Sequence, residues 1–277
     1  MKEGPLSAAE TKELLLRLGH RPRHALGQNF LVDGNIVRKS LEMGEVVAGD
    51  QVVEIGPGLG TLTRTLLGAG ARVHAIEADP AMAAHLRSFL APHLGQALVV
   101  TEGDAVEHPL AGLETAKDGS FKVIANLPYA ISTPWMDALC RGPHPSLMVL
   151  MLQREAAERL TAPVGGAHWS AATAQVALAF EKVRIHPVPS QSFNPPPKVD
   201  SCLLLLRLRP DARRLSPRAR EVARGLFTLR RKQLGSSVRT LFPDAPDVAA
   251  WLAGLGAYGL SPTSRPQEVP AEAWLGL

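Results

Sequence analysis

A glycine-rich loop between a short apolar run and a helical pattern constrains the fold of this chain more than any other feature. Residues 51–55 (QVVEI) predict a buried strand, the loop Gly56-Pro-Gly-Leu-Gly60 follows, and Thr61 to Leu67 predicts a helix. The next predicted strand, Arg72 to Ile76, ends at Glu77. A strand, a glycine loop, a helix and a second strand form the unit from which α/β folds with an open sheet and helices on both faces are built.

The loop and the acid after the second strand predict a nucleoside site. Glycines let backbone N–H groups approach a ligand closely, and a helix N-terminus favours a negative group. An acid at the position of Glu77 can accept hydrogen bonds from both ribose hydroxyls. The spacing differs from the GxGxxG of dinucleotide-binding dehydrogenases, because Gly60 comes one residue early and Thr61 holds the place of the third glycine. We therefore expect a different nucleoside ligand and keep a dehydrogenase as one competing hypothesis.

Further polar residues follow the next two predicted strands. Residues 97–101 lead to Asp104, which could accept the exocyclic amine of a bound adenine, or could simply form an aspartate turn. Residues 121–125 run into Asn126-Leu-Pro-Tyr129, where Pro128 must end the strand. Ligands bind at the carboxyl ends of strands in open α/β sheets. The amide of Asn126 beside the ring of Tyr129 would suit a flat heterocycle that carries an amine.

The rest of the chain predicts more sheet and a separate helical part. An apolar run at 147–152 predicts a strand buried on both faces, and residues 183–188 and 202–208 predict an antiparallel pair. Three prolines in the connection, Pro195 to Pro197, stiffen it and hold Phe193 in place. Beyond Pro210, a small basic bundle is predicted from helices at about 216–229, 233–241 and 244–253. We expect two domains, residues 1–209 and 210–277.

Charge is unevenly distributed and indicates a polyanionic partner. The formal net charge is only +4, yet residues 207–239 hold eleven Arg and Lys against two acids, a net charge of +9. A second basic cluster lies near the N-terminus and comprises Arg17, His20, Arg21, Arg23 and His24. A solvated helix face explains scattered arginines well, but it explains such a concentration poorly.

Composition and pattern argue against several other classes. Apolar residues make up 45% and charged residues 20%, as in globular proteins, and no apolar run approaches the ~18 residues of a membrane span. The N-terminus lacks the apolar core of a secretory signal. Cys140 and Cys202 form no paired motif. His20 and His24 have metal-ligand spacing, but Pro22 lies between them, so no metal site is predicted. We expect a cytoplasmic protein without membrane association.

Five motifs in order give the chain a family resemblance. They are Gly27-Gln-Asn-Phe-Leu31, Glu54-Ile-Gly-Pro-Gly58, Asn126-Leu-Pro-Tyr129 with Ile131-Ser-Thr133, Phe193 to Ser201, and Arg230-Arg-Lys-Gln-Leu234. Over roughly residues 20–270, the chain resembles the ribosomal RNA adenine N6,N6-dimethyltransferases, specifically the bacterial small-subunit branch (the KsgA family). The resemblance implies a Rossmann-like class I methyltransferase sheet with a small C-terminal helical domain for RNA binding.

The resemblance also implies a donor and a substrate. S-adenosylmethionine would be the methyl donor, with no metal. The family's donor contacts carry over to Asn29, Leu31, Gly56, Gly58, Glu77, Asp104 and Asn126. The substrate would be two neighbouring adenosines in a stem-loop near the 3′ end of 16S rRNA in the 30S subunit, each receiving two methyl groups. We expect a monomer, and keep a non-catalytic role in small-subunit assembly as a second alternative.

The chemistry of methyl transfer to adenine gives the motif residues roles. An adenine amine is a poor nucleophile because its lone pair is delocalised into the ring. The Asn126 side-chain oxygen and the Leu127 carbonyl, in the turn made by Pro128, would hold the amine and aim its lone pair at the methyl group. Tyr129 and Phe193 would stack on the two faces of an adenine turned out of the RNA, each worth ~1–3 kcal/mol. RNA phosphates would meet the basic residues Arg21, Arg23, Lys198, Arg230, Arg231 and Lys232.

A close relative of the family is the nearest alternative. The antibiotic-resistance methylases that modify 23S rRNA share the first two motifs but usually have isoleucine at the position of Leu127. Two positions depart from the family pattern. Where the family often shows Tyr-Gly followed by Leu-Ser, the chain has Gly166-Ala-His-Trp-Ser170, next to a loop that could move, and Ala130 stands where Asn or His is common.

Overall fold

The computed structural model describes residues 4–23, 27–93, 95–114 and 117–277. The chain divides into two compact units, the first made of residues 1–157 and 182–208 and the second of residues 158–181 and 209–277. The second division point lies between residues 208 and 209, one residue before the boundary predicted from the sequence. The stretch 158–181, placed with the N-terminal domain in the sequence prediction, belongs to the second unit because Trp169 and its neighbours bury their side chains in that unit's core.

A seven-stranded mixed sheet forms the frame of the fold. The strands of the chain are β1 (Phe30–Leu31), β2 (Gln51–Ile55), β3 (Arg72–Glu77), β4 (Leu98–Glu102), β5 (Lys122–Asn126), β6 (Leu147–Gln153), β7 (Phe180–Val188), β8 (Phe193–Asn194) and β9 (Ser201–Leu208). Across the large sheet the order is β4-β3-β2-β5-β6-β9-β7, while β1 pairs with β8 separately. Strands β2 to β6 run parallel and β9 runs antiparallel to β6. The order reverses between β2 and β5, which is where such sheets open a crevice.

The helices begin where the sequence provides caps. They are α1 (Ala8–Arg17), α2 (Gly34–Met43), α3 (Thr61–Gly68), α4 (Pro80–Phe89), α5 (Ser132–Leu139), α6 (Arg154–Leu160), α7 (Ala171–Ala179), α8 (Pro217–Thr228), α9 (Leu234–Leu241) and α10 (Pro246–Gly254). Ser7 and Glu10 form a capping box on α1, and Asp33 and Asp79 cap α2 and α4. The predicted α/β fold class with a helical C-terminal part is confirmed.

The core of the first unit lies on the central strands. Residues 147–152 of β6 are all buried, as the apolar run predicts for a strand covered on both faces. The first six residues of β9 are buried as well. Strands with two covered faces need apolar residues at every position. The paired strands β6 and β9 therefore form the buried centre of the sheet, and the ligand-facing loops follow the carboxyl ends of its parallel strands.

The second unit has its own aromatic core. Trp251 stacks on Trp274 with ring centroids 4.9 Å apart. Trp169 is 3% exposed and donates its indole N–H to the Val269 carbonyl at 3.0 Å, and Ser170 caps α7. The unusual Gly166-Ala-His-Trp-Ser170 sequence is thus fixed within the second unit through its tryptophan. None of the helices in the described part of the chain is long and apolar enough to cross a membrane.

Candidate active site

A cavity of about 240 Å³ opens at the carboxyl ends of β2, β3, β4 and β5. It lies at the reversal of strand order, the expected ligand position in an open α/β sheet. Its wall is formed by residues 27–31, 54–59, 61–62, 76–78, 103–105 and 126–131. The structure therefore brings together every residue predicted to contact the donor, and it places the Asn126-to-Tyr129 motif beside them.

Two glycines allow the loop after β2 to approach its neighbours. Gly56 has a positive φ of 66°, and a Cβ there would lie 3.2 Å from Pro128 Cδ. Gly58 has φ 56°, and its N–H donates to Glu77 Oε2 at 2.9 Å. A side chain at either position would be strained and would push the loop away from the Asn126 motif or into the cavity wall.

Glu77 lines the cavity and is held there by two backbone hydrogen bonds. Its carboxylate is 7% exposed and accepts one backbone N–H on each oxygen, from Gly58 at 2.9 Å and from Asp79 at 3.0 Å. Burial raises the pKa of Glu77, and these two hydrogen bonds act in the opposite direction. A carboxylate has about four acceptor sites, so capacity is left for a pair of hydroxyl groups.

Glu54 is a site residue that the sequence reasoning missed. It lines the cavity from β2, is 1% exposed, and its Oε2 has no hydrogen-bond partner among the described residues. Burial raises the pKa of Glu54 to about 8, and the charge of Glu77 acts in the same direction. The signal was present in the sequence, because a single acid interrupts the otherwise apolar end of the strand VVEI.

Asp104 forms the predicted aspartate turn and also lines the cavity. It lines the cavity after β4, while its Oδ1 accepts the Val106 N–H at 2.7 Å. The aspartate turn is thus present, and it fixes the carboxylate of Asp104 with Oδ2 left for another donor. An exocyclic adenine amine is a donor of the required kind.

The amide of Asn126 is oriented by the N-terminal arm, defined as residues 20–23 and 27–31. Its Nδ2 donates to the Asn29 carbonyl at 3.1 Å. Within the described residues, no donor reaches its Oδ1 or the carbonyl of Leu127. Tyr129 lies half-buried at the cavity, and its hydroxyl is 2.6 Å from Ser201 Oγ. Burial raises the Tyr129 pKa, so the ring stays neutral and apolar.

Phe193, predicted to stack on the second face of the adenine, does not line this cavity. Its side chain is 3% exposed and packs in the core of the first unit with Leu31 and Val188. The reason is the short β1–β8 pairing, in which Leu31 lies opposite Phe193. In this arrangement the ring would have to leave the core to contact a base.

The predicted phosphate contacts differ in their surroundings. Arg21, Lys198, Arg231 and Lys232 are exposed. Arg230 is half-buried and donates a hydrogen bond to the Ala167 carbonyl at 2.6 Å. This bond holds the loop before Trp169. His24 of the predicted N-terminal basic cluster lies outside the described residues. Within the described ranges, no group of three or more His, Cys, Asp and Glu could hold a metal ion.

Comparison with protein families identifies the chain. A family model described as ribosomal RNA adenine dimethylase matches residues 19–251. The chain belongs to the ribosomal RNA adenine dimethylase family. This dimethylase is 50% identical over 273 residues to Ribosomal RNA small subunit methyltransferase A of Opitutus terrae, covering 99% of this chain and 98% of the relative. It is 38% identical to the protein of the same name in Methylobacterium radiotolerans, covering 96% and 90% of the two chains.

Solved structures agree with this membership. A dimethyladenosine transferase from Plasmodium falciparum matches with a TM-score of 0.69 at 27% identity, over 89% of this chain and 95% of that one. The 23S rRNA methyltransferase ErmE matches with a TM-score of 0.58 at 27% identity, over 90% and 97%. The predicted family and enzyme class, a methyltransferase acting on adenine in ribosomal RNA, are therefore confirmed.

The cavity fits the methyl donor of this family, S-adenosylmethionine. Glycines in left-handed conformations let the backbone approach a ligand, and Glu77 and Asp104 offer oxygens to hydroxyl and amine donors. The carboxylates of Glu77 and Asp104 at one cavity also suit a ligand that carries positive charge, whereas Glu54, with its pKa raised to about 8, holds its proton at neutral pH. The sulfonium of the bound donor supplies the methyl group, and Asn126 lines the same cavity.

Proposed function

We propose that this enzyme methylates the N6 amines of two adjacent adenosines in the 3′-terminal stem-loop of 16S rRNA within the 30S subunit, giving N6,N6-dimethyladenosine. Two relatives over nearly the whole chain are named small-subunit methyltransferases, which supports the choice of subunit. S-adenosylmethionine would bind to Asn29, Leu31, Gly56, Gly58, Glu77, Asp104 and Asn126. The enzyme would act as a monomer in the cytoplasm, with no metal in the reaction.

The orientation of the Asn126 amide carries the proposal. Because Nδ2 is bonded to the Asn29 carbonyl at 3.1 Å, Oδ1 is the atom left for a substrate. With the Leu127 carbonyl, it would accept the two N6–H groups of adenine and turn the nitrogen lone pair out of conjugation. The bound donor would supply the methyl group to the amine held by these two acceptors, leaving as S-adenosylhomocysteine, and one N6 proton would be lost to solvent. Positioning of this kind removes much of a barrier.

Recognition of the base would begin with Tyr129. Its hydroxyl is bonded to Ser201, so the ring is fixed at the cavity and can stack on one face of an extruded adenine. Stacking on the opposite face by Phe193 stays a prediction, and it requires movement of a side chain that is now 3% exposed. The exposed basic residues of the arm and of the α8–α9 loop would hold phosphates and set the register.

Methylation of isolated ribosomal particles tests the proposal. Unmethylated 30S and 50S particles are incubated with the enzyme and labelled S-adenosylmethionine, and nuclease digests of the rRNA are read by mass spectrometry. We expect dimethyladenosine at two neighbouring positions near the 3′ end of 16S rRNA. Label in 23S RNA alone would overturn the assignment in favour of the large-subunit activity, to which the similarity with ErmE gives a specific basis.

A role in small-subunit assembly is the second candidate, and it is compatible with catalysis. The exposed basic surface would let the protein grip an immature 30S particle whether or not it methylates it. An Asn126→Ala variant that still binds 30S particles but transfers no methyl group would separate the two activities.

A further inference from the structure

A buried carboxylate beside the donor cavity connects three parts of the first unit. Asp79 lies two residues after Glu77 and is 1% exposed. Its Oδ1 accepts the Ala81 N–H at 3.0 Å and caps α4, while its own backbone N–H donates to Glu77 Oε1 at 3.0 Å. Capping uses only one of the two oxygens, so the second is available for a different function.

The second oxygen of Asp79 faces the N-terminal arm. Oδ2 accepts from Gln28 Nε2 at 3.2 Å and lies 3.6 Å from Arg23 Nη1 and 3.8 Å from His20 Nε2. Gln28 Oε1 in turn accepts the Arg23 N–H at 2.9 Å and is 2.9 Å from His20 Nε2. A carboxylate this deeply buried is costly unless it is paired. The arm supplies that pairing.

The arm also forms part of the cavity wall. Gln28 stands between Gly27 and Asn29, and all three line the cavity. Asn29 provides the carbonyl that orients Asn126. A continuous set of hydrogen bonds and one peptide link therefore runs from Asp79 through Gln28 and Asn29 to the amide predicted to hold the target amine.

We infer that Asp79 is a positioning residue, which fastens the arm over the bound donor and so sets donor affinity. The inference rests on the donor part of the proposed function. Arg23 is then in the first place a partner of Asp79, and its predicted phosphate contact is secondary. Asp79 itself touches neither the reacting amine nor the methyl group, so its loss should affect binding of the donor far more than turnover at saturation.

The Asp79→Asn substitution tests the role. Asparagine keeps an oxygen for the α4 cap but puts an NH₂ group against Gln28 Nε2, so two donors face each other. We expect the KM and the calorimetric Kd for S-adenosylmethionine to rise about tenfold, as loss of one good hydrogen bond to a charged group predicts. The kcat at saturating donor should stay within about twofold. Trypsin cleavage after Arg23 should also become faster, because the arm is no longer fastened to Asp79. The assay reports on this bond because Pro22 protects the bond after Arg21.

Asp33→Asn is the matched control, because Asp33 also caps a helix, accepting the Asn35 N–H at 2.9 Å, but does not line the cavity. It should leave the Kd and the trypsin pattern unchanged. Gln28→Ala as a single variant should also raise the donor Kd. In the double variant with Asp79→Asn, the loss of binding free energy should be smaller than the sum of the two single losses. An unchanged Kd in Asp79→Asn, a loss confined to kcat, or strictly additive effects would overturn the inference. Failure of the wild-type enzyme to bind S-adenosylmethionine would instead overturn the proposed function.

Discussion

The two atoms of the Asn126 amide have separate tasks, and substitutions can separate them. Asn126→Ala removes the acceptor for the target amine, so we expect kcat to fall on the order of 10²–10³-fold. Affinity for 30S particles should stay within about twofold, because phosphate contacts lie elsewhere. Single-turnover methylation and filter binding measure the two quantities. Equal collapse of both would mean that Asn126 supports the structure of the RNA site.

Asn126→Asp is the complementary change. It keeps an oxygen at the target side but places a second one against the Asn29 carbonyl, now 3.1 Å from Nδ2. Two acceptors at that distance repel each other, so the arm should be displaced. We expect a weaker donor affinity in addition to slow turnover, read by calorimetry. A donor Kd equal to that of the wild type would show that this hydrogen bond does not hold the arm.

Glu54 makes the stability of the fold depend on pH. Burial raises its pKa from 4.5 to about 8, so the folded chain holds a proton that the unfolded chain releases above about pH 4.5. The stabilisation is complete below that pH and is lost as the pH rises towards 8. We expect the unfolding free energy to fall by about 1.4 kcal/mol per pH unit in this window on account of Glu54.

The isosteric change Glu54→Gln tests this. Glutamine stays neutral at every pH, so the variant should show a flatter stability profile between pH 5 and 8 and a gain at pH 8. Denaturant unfolding at a series of pH values measures it. Glu107→Gln, at an exposed position, is the control and should follow the wild type. An unchanged slope in Glu54→Gln would show that Glu54 is ionised in the folded chain.

Single side chains also mark the limit of prediction from sequence. Glu77, Asp104 and Asn126 were predicted because each ends a strand or lies within two residues of its end, and strand ends are local features. The surroundings of Phe193 and Arg230 could not be predicted, because they depend on partners that are distant in sequence. Phe193 is buried where β8 pairs with β1, and Arg230 donates a hydrogen bond to a carbonyl 63 residues earlier in the chain.

At the scale of elements, α1 supports the glycine loop although it lies before the residues matched by the family model. Its Leu15 packs in a cluster with Phe30, Leu59 and Met82. Leu59 belongs to the loop and lines the cavity. Removal of the Leu15 side chain should therefore weaken both the fold and the wall of the donor site.

Leu15→Ala should lower the unfolding free energy by about 2–3 kcal/mol, since the side chain is 8% exposed. Donor affinity should fall with it. Leu16→Ala is the matched control, because the neighbouring leucine is 81% exposed and should contribute less than about 0.5 kcal/mol. Urea unfolding and calorimetry with S-adenosylmethionine measure the pair. Equal effects of the two substitutions would contradict the packing of α1 on the loop.

Elements were predicted more reliably than their packing. The strand β2 begins and ends at the predicted residues, and α3 differs from its predicted range by one residue at its end, because the apolar run and the glycine loop that set these limits are local features of the sequence. By contrast, the place of α7 in the second unit follows from apolar contacts with α8, which comes much later in the chain. Periodicity gives the buried face of a helix but not its partner.

On the scale of the whole molecule, the segregated charge predicts salt-dependent binding to RNA. Each phosphate contact that a basic residue makes releases counterions, so the affinity falls linearly with salt on a log–log plot. Arg231 and Lys232 are exposed, and no ion pair of either is seen among the described residues. Changing both to alanine should reduce the magnitude of the slope by about 1.4–1.8.

Two controls separate phosphate contact from other roles of arginine. Arg17→Ala should leave the slope unchanged, because its guanidinium is 2.6 Å from Glu13 and its charge is already compensated. Arg230→Ala should lower the stability of the second unit through the lost contact with Ala167, with little further change in slope. Binding of 30S particles at several salt concentrations gives all three slopes. If Arg230→Ala reduced the slope as much as the Arg231/Lys232 change, Arg230 would have to release Ala167 when RNA binds, and the loop before Trp169 would rearrange with it.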